Sequence, residues 1–326
     1  MGEDADDNVQ QPMRVAVFAP SPIVTVTVES LQDELAEVHI HAGGQGVWTA
    51  RMIRRLGASV VLCSALGGET GMVLRALIAQ EGFELRDVGS ETANGAYIHD
   101  RREGERDVVA ETSAGPLSRH DLDALYGAMF VAAVDAGTCV LTGNVPSVVP
   151  TETYRRFAAD LAHNDVDVVV DTSGACLAAA LRGGPALVKI SHEELIRDGY
   201  ATDSSPEELR RGIERLQHAG ARDVVVSRAG EPVLASMGGQ LLTVDCPEVE
   251  VVDPRGGGDA MTAALAVARA ERRSNERALC LAVAAATLTI TRHGLATGGG
   301  EDVERLATAL SAGPIPDSTI FEEASP

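Results

Sequence analysis

Three consecutive glycines, Gly256, Gly257 and Gly258, stand between a strand-like run at 248–252 and an alanine-rich, helix-forming segment that begins Asp259-Ala260-Met261-Thr262. A strand that passes into a helix through glycines builds an anion site. The first N–H groups of a helix have no intrahelical partner and carry the positive end of its dipole. Glycines let that backbone approach a phosphate closely and adopt positive φ. Asp259 would begin the helix, where a carboxylate can take a proton from an attacking hydroxyl. Read alone, a tight turn followed by a helix-capping acid is the simpler account.

The surrounding pattern sets the architecture. Residues 13–20 read as a buried first strand, because their apolar side chains hardly alternate. Strands follow at 23–29 and 37–41, a helix at 47–56 closed by Gly57, a strand at 59–65 and a helix at 70–78. An alternating hairpin follows at 95–100 and 107–112. From Leu122 the alternation is regular, with strands at 138–142, 166–171, 186–190 and 223–227 separated by helices at 122–134, 151–162 and 206–219 and a short one after Gly174. Such alternation calls for a mostly parallel sheet with helices on both faces and ligands at the carboxyl ends of the strands.

Charge narrows the partners. With 27 basic and 48 acidic residues the net charge is −21, which argues against nucleic acid or an anionic membrane. Lys189 is the sole lysine, so an anionic ligand must be held by arginine, backbone amides or a divalent metal. The five scattered cysteines read as buried free thiols in a reducing cytoplasm. Residues 1–12 are acidic and polar and read as a disordered tail, not a signal peptide. No run reaches the ~20 apolar residues of a membrane span, so a cytoplasmic protein is expected.

The string from Asp253 to Leu265 resembles the C-terminal signature of the ribokinase-like (PfkB) carbohydrate kinases: an aspartate, two residues, Gly-Ala-Gly-Asp, then small residues. Here Gly257 holds the alanine's place. Residues 42–71 are similar to the family's N-terminal signature, and Gly43-Gly44-Gln45-Gly46 resembles the 1-phosphofructokinase and tagatose-6-phosphate kinase branch, with Gln45 in place of a lysine and Trp48 in place of an asparagine. The resemblance implies a three-layer α/β/α sandwich with a mostly parallel central sheet and a small β-sheet lid. It places the kinase domain at 13–312, the lid at about 21–43 and 90–114, and a C-terminal tail at 313–326. It implies ATP- and Mg²⁺-dependent phosphorylation of a hydroxyl on a sugar or sugar-like small molecule.

Residue roles follow from the matched positions. Gly256, Gly257 and Gly258 would form the anion hole and Asp259 the catalytic base. Lys189-Ile190-Ser191-His192-Glu193-Glu194 resembles the family's Lys-Pro-Asn-x-x-Glu, which assigns Glu194 to Mg²⁺ and its waters and sets Lys189 and Ser191 beside the nucleotide. Ser227, Arg228 and Gly230 match the nucleotide loop, Arg255 would face the phosphates, and residues 285–300 would wall the adenine. Thr25, Gly43, Gly44, Gln45, Trp48 and Asn94 fall on the sugar side.

The departures bear on the substrate. The branch's Asn-Pro-Ala-x-Asp reads Ser21-Pro22-Ile23-Val24-Thr25, and its lid Arg-x-Asn-x-Lys reads Thr92-Ala93-Asn94-Gly95-Ala96. Charge-assisted contacts contribute about 1.5–3 kcal/mol each, so their loss points to an unphosphorylated sugar lying against the Trp48 indole. The alternatives are a 1-phosphofructokinase or tagatose-6-phosphate kinase proper, in which arginines such as Arg51, Arg101 or Arg102 replace the lysines, and a nucleotide-binding regulatory protein without turnover. Lids of this family often pair, which makes a homodimer through the lid an expectation.

Overall fold

The structure, a computed structural model, describes residues 13–30, 35–104, 106–292 and 298–315. The expected tails at 1–12 and 316–326, and part of the expected adenine wall at 293–297, lie outside the described residues.

The chain begins with β1 (Arg14–Phe18), β2 (Ile23–Ser30), β3 (Ala36–Gly43), α1 (Gln45–Arg55), β4 (Ser59–Ser64), α2 (Gly68–Glu81), β5 (Glu84–Asp87), β6 (Ala96–Asp100) and β7 (Asp107–Thr112). The regular middle follows as α3 (Arg119–Ala136), β8 (Thr138–Thr142), α4 (Glu152–Ala162), β9 (Asp167–Asp171), α5 (Gly174–Leu181), β10 (Leu187–Ser191), α6 (His192–Arg197), α7 (Pro206–His218) and β11 (Asp223–Arg228). The last part is β12 (Glu231–Met237), β13 (Gln240–Val244), α8 (Gly257–Ala270), α9 (Asn275–Ile290), α10 (Gly300–Ala309) and β14 (Ala312–Pro314).

Ten strands form the central sheet in the order β14-β13-β12-β11-β10-β9-β8-β1-β4-β5. From β11 to β5 every pairing is parallel. Those strands are short valine-rich runs such as Val168-Val169-Val170 and Val224-Val225-Val226, all buried because helices cover both faces. On one face α8 is buried almost all round and packs against α1 and α9. Its run of alanines keeps the helix thin enough to lie between the sheet and α9.

A separate four-stranded sheet, β3-β2-β6-β7, is the lid. Its strands alternate in facing, apart from a bulge in β7 opposite Ile98 and His99. Thr25, Thr27, Glu29, His39, His41, Tyr97 and His99 face a cavity, and Val26, Val28, Val38 and Ile40 face away.

Several elements differ from the sequence reading. Residues 248–252 form no strand; they are extended and largely exposed. Glu248, Val249 and Val251 line a cavity and pair with no sheet. The β12–β13 hairpin was not expected, although Gly238-Gly239, with φ of 57° and 78°, supplies the two positive-φ residues of a tight hairpin turn. Strand β5, Glu84-Leu85-Arg86-Asp87, carries the charge typical of an edge and so gives no apolar signal. β14 takes residues 313–314 from the expected tail into the sheet. Four of the five cysteines are buried and all are unpaired. Among the described residues no helix is long and apolar enough to cross a membrane.

Gly46, in the first turn of α1, lies against the end of β1. A Cβ there would stand 2.4 Å from the Ala19 Cβ and 3.0 Å from the Thr142 Oγ1. Gly46→Ala should therefore force α1 off the strand ends and cost about 1–3 kcal/mol, read as a lower midpoint in thermal or urea unfolding; Gly127→Ala, with nothing within 4 Å of its Cβ, serves as the control.

Candidate active site

Gly256 ends the approach to α8 in the left-handed region, at φ 75°, and no side chain caps the helix that follows. The N–H groups of its first turn are therefore available to an anion. Lys189, from the end of β10, reaches the same point: a Cβ on Gly258 would fall 2.5 Å from the Lys189 Nζ. Glycine at 258 is what leaves room for the ammonium.

The Lys189 ammonium is held by a carboxylate that the sequence reading missed. Its Nζ lies 3.4 Å from Oδ1 of Asp171, at the end of β9, whose Oδ2 accepts a 2.6 Å hydrogen bond from the Thr262 hydroxyl of α8. Parallel pairing sets Val188 opposite Val170, so the next residues along, Lys189 and Asp171, emerge side by side. The available signal was an aspartate at the carboxyl end of a valine run. Burial pushes Asp171 up, against the pull of Lys189 and Thr262. Burial would lower Lys189, but Asp171, Asp259 and Glu194 outweigh it and hold the ammonium charged.

Asp259, on the first turn of α8, has no such partner; its Oδ1 is buried without a hydrogen bond. Burial first, then the Asp171 and Glu194 charges, push its carboxyl up to about 7 against the opposing effect of Lys189. Two aspartates thus share one ammonium, one of them paired and the other poised to exchange a proton near neutrality.

A cavity of about 580 Å³ opens beside this point, between the β10 and β11 strand ends, the 246–251 segment, α8 and α9. The expected Lys189, Ser191, Ser227 and Gly230 line it, as do Gly257, Gly258 and, from α9, Ala286 and Ile290. Arg228 departs from expectation: its guanidinium donates to the carbonyls of Pro232 and Ser204, at 3.4 Å each, and it is not part of the cavity wall. The reason is local, since β11 bulges at this residue and the strand turns it away. Glu194 closes a capping box: its carboxylate accepts the Ser191 N–H at 3.1 Å, its own N–H donates to the Ser191 hydroxyl at 3.2 Å, and Arg197 lies 3.7 Å from Oε1.

A second cavity, of about 680 Å³, lies under the lid. Three polar atoms in its wall are buried and unpartnered: the Thr25 Oγ1, the Trp48 Nε1 and the His99 Nδ1. Five arginines line it, namely Arg51, Arg55, Arg101, Arg106 and Arg255. Arg255 thus lines this cavity and not the one beside the α8 amides where it was expected, because the turn at Gly256 separates it from them. Burial, followed by neighbouring cations, lowers both His41 and His99, so each enters the cavity neutral. Arg102 points out and pairs with Asp100 on the exposed edge.

Asn94 is also corrected. It is buried, and its amide is fully used inside the protein: Oδ1 accepts the Gly67 N–H, and Nδ2 donates to the carbonyls of Pro22 and Ala65. It fastens the lid to the β4–α2 connection and offers nothing to a substrate. Gly43 contributes by its lack of a side chain, since a Cβ would stand 2.4 Å from the Thr25 Oγ1. Gly44 and Gln45 line a smaller adjoining space of about 270 Å³ with Ser21, Pro22 and Asn144.

Comparison with known proteins agrees with this fold. Residues 21–300 match the family described as pfkB family carbohydrate kinase. The chain is 25% identical over 257 residues to 1-phosphofructokinase of Bacillus subtilis, covering 79% of this chain and 84% of that one. It is 27% identical over 274 residues to ATP-dependent 6-phosphofructokinase isozyme 2 of Escherichia coli, covering 82% and 88%. Its fold superposes on the crystal structure of phosphofructokinase-2 from Escherichia coli in complex with potassium with a TM-score of 0.82, at 23% identity over 91% of this chain and 99% of that one. On Arabidopsis thaliana ribokinase, solved with ribose and ATP, the TM-score is 0.70 at 21% identity, covering 91% and 98%. With the family match spanning most of its length, the chain belongs to the pfkB family of carbohydrate kinases, which implies ATP as co-substrate and a sugar hydroxyl as acceptor.

Proposed function

We propose that this kinase phosphorylates a hydroxyl of a sugar that already carries an anionic group, a phosphosugar being the chemistry that fits best. The observation that carries the reading is the position of the 253–259 segment between two cavities. Arg255 lines the one under the lid, and Gly257 and Gly258 line the other. ATP in the second cavity would present its terminal phosphate to the α8 amides and the Lys189 ammonium, while the acceptor lies under the lid. The arginines supply the basic groups that the family's lost lysines would have provided. Thr25, Trp48 and neutral His99 offer unused donors and acceptors to sugar hydroxyls.

In this reading Asp259 takes the acceptor's proton, and the amides of the first turn of α8 with Lys189 stabilise charge on the phosphoryl group in flight. A magnesium ion fits the donor set. Among the described residues no three His, Cys, Asp or Glu gather into a cage, which suits an ion held by one or two carboxylates together with phosphate oxygens and water. Glu194 is the carboxylate that would hold it, through an oxygen left by the capping box. Bound there, the ion would neutralise developing phosphate charge.

The outward face of the lid extends the reading to a partner. Val38 and Ile40 are 57% and 53% exposed on a sheet whose other face belongs to the site. A second copy, pairing lid to lid, is the occupant proposed. Ile40→Glu should shift the sedimentation of a dimer to that of a monomer; identical sedimentation of both forms would remove the pairing.

ADP release with Mg-ATP, measured across free sugars and phosphosugars, tests the activity. A phosphosugar should be turned over, with its KM rising with salt because the guanidinium clamp is screened; a neutral sugar used equally well, with no salt effect, would overturn the anionic-acceptor reading. Asp259→Asn should lower kcat about 10²–10⁴-fold. In the wild type, kcat/KM should fall as pH falls through about 7, as the raised Asp259 carboxyl takes up its proton. The sign for stability is opposite. A carboxyl whose folded pKa is raised contributes stability that is fully present below its ordinary value of 3.8 and is lost as pH rises from there through about 7. At pH 8 the asparagine variant should therefore melt higher than the wild type.

A further inference from the structure

Asp253 opens the phosphoryl-transfer segment, yet nothing in the proposed chemistry uses its carboxylate. It is buried, with a side chain only 6% exposed. Its Oδ1 accepts the N–H of Arg255 at 3.1 Å. Its Oδ2 faces two lid residues that line the cavity, 3.6 Å from the Arg101 Nη1 and 3.4 Å from the Arg106 Nη2. Those arginines flank the turn between β6 and β7, and the Arg101 N–H is fixed to the Val28 carbonyl at 2.7 Å. Their side chains are 16% and 17% exposed, so solvent screens the contacts weakly.

We propose that Asp253 is a positioning residue that pins the lid to the phosphoryl-transfer segment, holding Arg101 and Arg106 over the cavity with guanidinium donors left for the acceptor's anionic group. The inference rests on the acceptor reading above for what those donors meet. One carboxylate faces two guanidiniums, with Arg255 next to it; among the described residues Glu29, 3.9 Å from Arg101, is the other acidic side chain within ion-pair distance of them. The positive excess is what an anionic acceptor would neutralise. A guanidinium has five N–H donors, and contacts of this length at one end leave most of them unused. Removing the charge of Asp253 would leave two partly buried cations with Glu29, 3.9 Å from Arg101, as the remaining acidic contact, which is costly.

The competing account is that Asp253 only shapes the turn through its bond to the Arg255 N–H, as aspartate and asparagine both do. Asp253→Asn separates the two, because asparagine keeps that bond and loses the charge, whereas Asp253→Ala loses both. Amide hydrogen exchange on the full chain without ligands is the readout. In Asp253→Asn the amides of Arg101 and Gly104 should exchange about tenfold faster, with the first turn of α8 unchanged. Asp253→Ala should loosen both. Arg101→Gln with Arg106→Gln should reproduce the lid effect, and adding Asp253→Asn should not increase it. Inorganic phosphate, followed by fluorescence of the sole tryptophan, Trp48, should bind about tenfold more weakly to Asp253→Asn and to the arginine pair variant, with ATP binding unchanged. Lid exchange at the wild-type rate in Asp253→Asn, equal loosening of lid and α8, or undiminished phosphate binding would each overturn the proposal. A wild type that does not respond to phosphate, but whose lid loosens in Asp253→Asn, would sink the phosphosugar reading and leave the pinning standing.

Discussion

One buried ammonium between two aspartates is the interaction on which the site depends. Taken singly, Asp171, Lys189 and Asp259 would each be expensive to bury. Together they divide the burden unequally. Asp171 has the ammonium and the Thr262 hydroxyl, and Asp259 has an oxygen with no partner. That inequality separates the two carboxyls chemically and leaves one of them able to serve as a base near neutrality. The sheet makes it possible, because the β9–β10 register delivers Asp171 and Lys189 side by side, and α8 lays Thr262 and Asp259 over them.

The second constraint is charge. A chain of net −21 repels anions in bulk, so a kinase that takes ATP must reverse the field locally. It does so with arginine, five of them around one cavity. Arginine keeps its charge under burial and offers a planar fork to carboxylate or phosphate, whereas a buried lysine is readily neutralised. Lys189 stays charged because carboxylates surround it. In the cavity under the lid, Glu29, Glu81 and Asp253 are shared among five cations instead of one, and there the guanidinium is the safer cation.

The alternation of buried valine strands with helices was legible in the sequence because burial on both faces leaves a continuous apolar run. The glycine-to-helix turn was legible because few residue types satisfy it. What escaped depended on contacts distant in sequence. Asp171 looks like any strand-end acid until the register brings Lys189 beside it. Asn94 sat at a position where the resembled motif binds substrate, and only the three-dimensional path of Pro22, Ala65 and Gly67 shows that its amide is already used. Arg51, Arg101 and Arg255 were named in the sequence, but Arg55 and Arg106 escaped, and so did the convergence of all five, because they come from α1, the lid turn and the 253–259 segment with no common spacing. The run at 248–252 looked like a strand because of its valines, and only the structure shows that Val249 and Val251 line a cavity instead of joining a sheet.

Gly257 shows how a departure from a motif can be structural without altering the chemistry. A Cβ at that position would stand 3.0 Å from Cγ2 of Ile290 and 3.8 Å from the carbonyl of Ala286, both on α9. An alanine would fit only if Ile290 moved by a few tenths of an ångström. Glycine at 257 and isoleucine at 290 are therefore two halves of one packing solution, in which the side chain that leans toward the helix start comes from α9. Ile290 is also bound to the segment before the anion site, since its carbonyl accepts the N–H groups of Val252 and Asp253 at 2.8 and 3.1 Å. Glycine inside a helix costs about 0.5–1 kcal/mol relative to alanine. Here that cost falls in the first turn, where an isoleucine on α9 fills the space and the backbone amides must in any case stay open to a phosphate.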